Sequence, residues 1–247
     1  MISKSGVPLR GQVRVDVGSR AVYGFADENG EIVNSDGDVL VGNLLTPCLP
    51  TKIIGIGSNY RSHALEMGKP IPSVPKIFIK PNTSLLDPFG VIRLPENSKR
   101  VDFEAEVGVV IGREARDVSI ADAMDYVMGF TAVNDVTCRD HQKEDGVFGR
   151  AKGHDTHCPL GPSIVSGLDH SDINVRCEVN GEVRQNGNTS DLVFSIPELI
   201  SFVSGVMTLL PGDVIATGTP SGVGPLQPGD TVSIFVDGVG VLTNTVE

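Results

Sequence analysis

The sequence predicts a mainly β protein with a few short helices, an α+β chain in which strands outnumber helices. Three observations carry that expectation. The 247 residues include 29 glycines and 16 prolines, which punctuate the chain with turns. Valine and isoleucine recur in short alternating runs such as Val13, Val15, Val17 and Val175, Cys177, Val179. Asn180-Gly181 and Asp237-Gly238 each join two such runs, which is the strongest short hairpin signal.

The bulk numbers exclude several functions. A hydrophobic content of 40% supports a real core in one large domain, or in a domain with an appendage. The formal net charge of −11 rules out a general nucleic-acid footprint. It also repels small anions unless local cations reverse the field. Tryptophan is absent and aromatics are few, so no base-stacking or sugar-stacking platform is expected. The four cysteines, Cys48, Cys138, Cys158 and Cys177, form no Cys-x-x-Cys pair and are too sparse for a disulfide scaffold. Residues 1–6 lack the apolar core of a signal peptide, and no apolar run is long enough for a membrane span. The expectation is a soluble cytoplasmic protein with no membrane partner.

In chain order, residues 1–48 read as a small N-terminal β-rich segment and 49–247 as the main domain, with a Pro-flanked linker at 46–50. Asp27-Glu28-Asn29-Gly30 is a turn between strands. Residues 53–57 form a short buried strand that runs into a helix over 58–68, capped by Ser58 or Asn59 and ended by Gly68. The Pro-rich stretch 69–75 reads as a surface loop or lid. Residues 76–80 are a strand centred on Ile77, Phe78 and Ile79, and Lys80 at its end could reach a site but is expected in solvent. Residues 119–127 read as a short helix with Ser119 and Asp122 in capping-box positions. A strand spans 130–136, and 137–146 is expected to be a mobile polar loop. His154, His157 and Cys158 lack the ordered spacing of a structural zinc site. Ser195 and Glu198 make a capping box with Pro197 in the first turn, and Leu199, Ile200, Phe202, Val203, Val206 and Met207 form that helix's core side. Residues 214–217 are a strand that enters a Gly-rich loop at 218–224. That loop could hold a carboxylate on its amides, but it lacks the Gly-Lys-Ser/Thr ending of a P-loop.

The chemistry concentrates in residues 101–111. Read as one strand, Asp102, Glu104 and Glu106 share a face and Phe103, Ala105 and Val107 take the other. The apolar ending Val109-Val110-Ile111 suits a strand inside a sheet. Three carboxylates on such a face repel one another and lose hydration, and a divalent cation relieves both effects. The bland alternative is a solvated acidic face. Oxygen-only ligands favour Mg²⁺ or Mn²⁺, with Ca²⁺ as a possible substitute. Asp135 interrupts an apolar strand and is a natural third ligand. His63 and Glu66 are three residues apart on one helical face, an arrangement that suits a general base but is also common on surfaces.

Taken together and in order, these motifs resemble the fumarylacetoacetate hydrolase family in its short single-chain branch. The resemblance rests on Gly57-Ser58-Asn59-Tyr60 with His63 and Glu66, Asp102-Phe103-Glu104-Ala105-Glu106, Asn134-Asp135 with Arg139-Asp140 and Gln142, Lys152-Gly153 with Asp155-Thr156, and Thr217-Gly218-Thr219-Pro220 with Gly222-Val223-Gly224. It implies a mixed β-sandwich roll, a homodimer, and a Mg²⁺ or Mn²⁺ held by Glu104, Glu106 and Asp135. It implies a water-activating dyad of His63 and Glu66 on a lid. Lys152 and Gln142 would steady an oxyanion or enolate. Thr219 would bind the substrate carboxylate, with Gly218, Tyr60 and Arg61 as further substrate-binding positions. Where relatives are commonly aromatic, this chain has His154 and His157.

The expected function is a divalent-metal-dependent enzyme cleaving a C–C bond in a small anionic 2-oxo carboxylate, by hydrolysis of an acylpyruvate or fumarylpyruvate-type substrate or by decarboxylation. Its rivals are isomerisation of 2-hydroxyhepta-2,4-diene-1,7-dioate in aromatic catabolism, and a non-catalytic metal- or ligand-binding β protein. A binding protein has no need of His63, Glu66 and Lys152 together.

Overall fold

The computed structural model describes residues 9–27, 30–66, 68 and 70–247. The N-terminal residues 1–6, two positions of the turn at Asp27-Glu28-Asn29-Gly30, and Lys69 of the expected lid lie outside the described residues. Among the described residues strands dominate, and the four helices are short: α1 (Arg61–Glu66), α2 (Arg139–Asp145), α3 (Gly149–Lys152) and α4 (Ile196–Val206). The expected mainly β architecture is the observed one, arranged as a long mixed sheet, a five-stranded sheet and a small three-stranded one.

At the centre of the long sheet, Ala105–Ile111 lies antiparallel to both Val127–Asn134 and Val214–Ala216. Val214–Ala216 in turn runs parallel to Ile53–Gly57, which pairs with Lys76–Lys80. On one face, Val107 and Val109 pack in a common core with Val175, Cys177, Ile234 and Leu242 of the five-stranded sheet. On the other, Ile53, Val110, Val133, Leu160 and Val214 form a second core. A strand covered on both faces has to be apolar on both, which accounts for the unbroken Val109-Val110-Ile111 ending. Each fully buried aliphatic side chain contributes about 1.5–3 kcal/mol, and these two layers offset the buried charges described below.

Register brings one set of chain ends together. Ala105 pairs with Asn134, so the start of one strand meets the end of the next. Ala216 pairs with both Gly108 and Gly55, so the ends of Val214–Ala216 and Ile53–Gly57 open at the same edge. Gly55 has a specific task here. A Cβ at this position would lie 2.1 Å from the Phe78 ring, so only glycine lets Phe78 cross the neighbouring strand. In the N-terminal segment, Gly11–Asp16 pairs with Ala21–Ala26 and Asn43–Leu45, around a separate core of Leu9, Val13, Val15, Ala26 and Ile32. Gln12 also pairs with Ile164 of the main sheet.

Several local expectations change. The stretch 101–111 is two strands, Val101–Phe103 and Ala105–Ile111, broken at Glu104. The strand expected over 130–136 is Val127–Asn134, so Asp135 stands just past its end. Residues 119–127 hold only a 3₁₀ turn at Ala123–Tyr126, although Ser119 Oγ does accept the Asp122 N–H at 3.2 Å. The polar stretch 137–146 is ordered as a short strand and α2. Asn59 does not cap α1. Its amide donates to Thr217 O at 2.8 Å and its carbonyl accepts the Phe194 N–H at 2.9 Å, tying two distant segments together. The Ser195–Glu198 capping box and the Asn180-Gly181 hairpin are present as expected. No helix among the described residues is long and apolar enough to cross a membrane.

Candidate active site

The break at Glu104 is what assembles the site. Glu104 N–H donates to Asn134 Oδ1 at 3.0 Å, and Asp135 N–H donates to Glu104 O at 2.9 Å. The kink turns Glu104 toward Glu106 and Asp135, and one carboxylate oxygen from each lies within 4.8 Å of the others. All three residues are buried, at 4%, 2% and 0% exposure. Asp102, expected on the same face, goes elsewhere. Arg100 Nε and Arg139 Nε hold it at 2.9 and 2.8 Å.

Three cations surround this cluster. Lys152, at the end of α3, donates to Glu104 Oε2 at 2.7 Å and also to Asp135 Oδ2. Its ammonium lies 4.7 Å from the centre of the Phe78 ring that Gly55 admits, and 6.0 Å from that of Phe148. Arg139 Nη2 reaches Glu104 Oε1 at 2.6 Å. Lys80 was expected in solvent, but it is fully buried and pairs with Asp135 Oδ1 at 2.8 Å. The expectation failed because the partner of Lys80 is 55 positions away in sequence, where local reading cannot see it.

The electrostatics divide the carboxylates. Burial pushes the Glu104 carboxyl up, but Lys152 and Arg139 outweigh it and hold Glu104 well below the usual range. Burial, then the Asp135 and Glu104 charges, push Glu106 well above its ordinary value, against the Lys152 charge and the Gly218 N–H at 2.8 Å. Lys152 is pulled down by burial and raised further by Asp135 and Glu104, so it stays charged. Asp135 Oδ1 receives no aligned hydrogen bond. An all-oxygen donor set and a buried carboxylate short of positive charge, Glu106, fit a hard divalent cation.

Helix α1 carries the dyad. His63 Nδ1 and Glu66 Oε2 are 3.2 Å apart, which fixes the Nδ1–H tautomer and leaves Nε2 as the basic nitrogen. His63, Glu104, Glu106, Gln142, Lys152 and Thr219 line one cavity of about 50 Å³. Gln142 Oε1 accepts from Arg139 Nη1 at 3.2 Å. Thr219 donates to Ala105 O at 2.9 Å and accepts from Gln185 Nε2 at 2.7 Å. Gly218 is spent on Glu106. Tyr60 and Arg61 are not part of this lining. Tyr60 is fully buried, and Arg61 Nη1 donates to Leu192 O at 2.6 Å.

Sequence reasoning assigned no role to Lys80, Arg139, Phe78 or Phe148. Only Arg139 carried a local signal, as part of Arg139-Asp140 with Gln142. A larger cleft of about 580 Å³ shares Arg139, Gln142 and Phe148 with the cavity, and Arg100 and Lys143 also line it. These cations create a locally positive approach on an acidic protein.

Comparison with known proteins agrees with this architecture. Residues 52–247 match the family model described as Fumarylacetoacetate (FAA) hydrolase C-terminal. A solved structure titled 5-carboxymethyl-2-hydroxymuconate delta-isomerase, from Mycobacterium smegmatis, superposes with a TM-score of 0.87 at 46% identity, covering 95% of this chain and 98% of that one. The mitochondrial oxaloacetate decarboxylase of Dictyostelium discoideum is 42% identical over 195 residues, 76% of this chain and 89% of that protein. The oxaloacetate tautomerase YisK of Bacillus subtilis is 44% identical over 211 residues, 80% of this chain and 70% of that protein. With a matched model over four-fifths of its length and close relatives on both measures, the chain belongs to the fumarylacetoacetate hydrolase family.

Proposed function

We propose that the protein is a divalent-metal-dependent enzyme that forms and resolves the enolate of a small 2-oxo dicarboxylate of the oxaloacetate type, by tautomerisation or decarboxylation. One observation carries this reading. Two buried carboxylates, Glu104 and Glu106, a charged lysine and an oriented imidazole border a single small cavity, and Asp135 completes the carboxylate cluster. The names of two relatives, an oxaloacetate decarboxylase and an oxaloacetate tautomerase, support the same substrate class.

Glu104, Glu106 and Asp135 would hold Mg²⁺ or Mn²⁺, and the bound ion would supply Lewis acidity toward a keto oxygen and an adjacent carboxylate. The chain's own groups do the rest. Lys152 Nζ places a positive charge where negative charge grows on the substrate oxygen. His63 Nε2 takes a proton from the carbon between the two carbonyl groups, and Glu66 steadies the imidazolium that results. Delivering that proton to the enolate oxygen completes tautomerisation to the enol, and the reverse transfer, from oxygen to carbon, gives the keto form. In decarboxylation the bond to the distal carboxylate breaks instead, CO₂ leaves, and the electron pair moves into the enolate before carbon is reprotonated. Phe78 and Phe148 keep water from the lysine.

The second reading is hydrolysis of an acylpyruvate, in which His63 Nε2 would deprotonate a water for attack on the distal carbonyl. The dyad geometry favours it as much as tautomerisation, and the names of the oxaloacetate-acting relatives favour the first reading. Oxaloacetate, an acylpyruvate and 2-hydroxyhepta-2,4-diene-1,7-dioate should be assayed with Mg²⁺, with Mn²⁺ and with chelator, following enol absorbance and CO₂ release separately. Metal-dependent turnover of oxaloacetate above the others is expected. Failure of all three with metal present would end the proposal.

A further inference from the structure

Behind the carboxylate cluster lies a second group of ligating side chains of different chemistry. Cys138 ends the Thr137–Cys138 strand, His141 lies in the first turn of α2, and His154 follows α3 by two residues. A ligand atom from each lies within 4.8 Å of the others. Cys138 and His141 are buried at 0% and 2% exposure. The His154 ring is 5.4 Å from that of His141 and 5.1 Å from that of His157, so two imidazoles adjoin the thiol and a third stacks behind His154. In sequence the four residues read Cys-x₂-His-x₁₂-His-x₂-His, from 138 to 157. The zinc reading weighed from sequence took Cys158 as the sulfur. The fold sets Cys138 beside His141 and His154 instead.

Hydrogen bonding decides which nitrogens are free. His141 Nε2 faces Asn97 O at 3.1 Å, and His157 Nε2 faces Arg93 O at 3.0 Å. A carbonyl oxygen only accepts, so both imidazoles are protonated at Nε2 and carry their lone pair on Nδ1. A ring N–H turned onto a main-chain carbonyl is the usual orienting contact of a metal-ligating histidine. His141 Nδ1 lies 3.3 Å from His154 Nε2. His157 Nδ1 is buried with no hydrogen-bond partner at all.

We propose that Cys138, His141 and His154 form a second metal site that takes Zn²⁺ or a similar borderline ion. One thiolate and neutral imidazoles suit zinc, whereas the all-oxygen cluster suits Mg²⁺ or Mn²⁺. Binding exchanges the Cys138 thiol proton for the ion and forms a sulfur–metal bond with no redox change. The ion would clamp the strand end, α2 and the segment after α3, the elements that present Arg139, Gln142 and Lys152 to the cavity. This site does not depend on the proposed reaction.

The test uses Co²⁺ as a spectroscopic probe in the full chain, first in wild type and then in Glu106→Ala, which disables the carboxylate cluster. Thiolate coordination gives a sulfur-to-cobalt charge-transfer band that oxygen ligands cannot produce. The band is expected in both proteins, with one equivalent of Zn²⁺ displacing the Co²⁺ and bleaching it. It should vanish in Cys138→Ser and in His154→Phe and persist in Cys158→Ser. Zn²⁺ should raise the melting temperature of wild type but not of Cys138→Ser. Folded wild type that gives no band and retains no zinc after dialysis overturns the proposal. So does a band that survives in Cys138→Ser.

Discussion

Glu66 accepts the main-chain N–H of Gly222 at 3.0 Å while its other carboxylate oxygen faces His63 Nδ1 at 3.2 Å. The His63–Glu66 pair of α1 is therefore oriented by a loop 156 positions further along the chain. Gly222 has φ +97°, and a Cβ there would lie 2.1 Å from Arg184 O. Gly222→Ala should move the loop, release Glu66 and lower kcat on the order of 10- to 10²-fold, the scale of a small misplacement of a catalytic group. Mg²⁺ affinity measured by calorimetry should be unchanged. An unaltered kcat would mean that the anchor does not position the dyad.

Glu106→Ala removes the carboxylate whose burial is least compensated. Binding of Mg²⁺ and Mn²⁺ to the oxygen cluster and turnover of oxaloacetate should disappear together. Calorimetry and Mn²⁺ paramagnetic resonance check the first, and coupled assays the second. Full activity in chelated Glu106→Ala protein would overturn the assignment of ligands.

His63→Ala should separate the reactions. Tautomerisation and hydrolysis need the imidazole to carry a proton, and general-base loss costs roughly 10²–10⁴-fold. Bond cleavage in decarboxylation needs no such transfer, so CO₂ release should fall least. Equal losses in all three would place the histidine in substrate binding instead.

Asp213 supplies a pH prediction away from the site. Its Oδ1 accepts from Thr51 N, Thr51 Oγ1 and Lys52 N, and its Oδ2 from Leu210 N and the Lys52 ammonium. Burial raises its carboxyl, but Lys52, the Leu210 N–H and Thr51 outweigh that and hold it below the usual 3.8. The folded state thus binds fewer protons than the unfolded one, so the stabilisation is full above 3.8 and is lost as pH falls through the folded value. Asp213→Asn should cost about 1.5–3 kcal/mol at pH 7, the scale of charge-assisted hydrogen bonds. Urea unfolding from pH 7 to pH 3 should show the gap to wild type closing below 3.8. A gap that stays constant would show that ionisation is irrelevant.

Features fixed by adjacent residues were legible in the sequence. Asn180-Gly181 and Ser195 with Glu198 act within a few positions, and both occur as read. Alternation placed Glu104 and Glu106 on one face, but it placed Asp102 there too, because alternation assumes an unbroken strand. The chain breaks at Glu104, where Asn134 takes its N–H. α2 was read as a mobile loop because its sequence is polar almost throughout. Only His141 is buried in it, and ion pairs such as Arg139 with Asp102 and Glu104 hold it in place of an apolar stripe. Lys80 and the Cys138, His141, His154 group were invisible for the same reason: their partners meet only in three dimensions.

The sealed position of Lys80 has a consequence for chemical labelling. With its ammonium group enclosed by Asp135 and main-chain oxygens, amine-directed reagents and acyl donors will not reach this side chain in the native molecule. Surface lysines such as Lys99 and Lys143 will react early and Lys80 late, so acylation of Lys80 in a mass-spectrometric footprint marks molecules that have already opened.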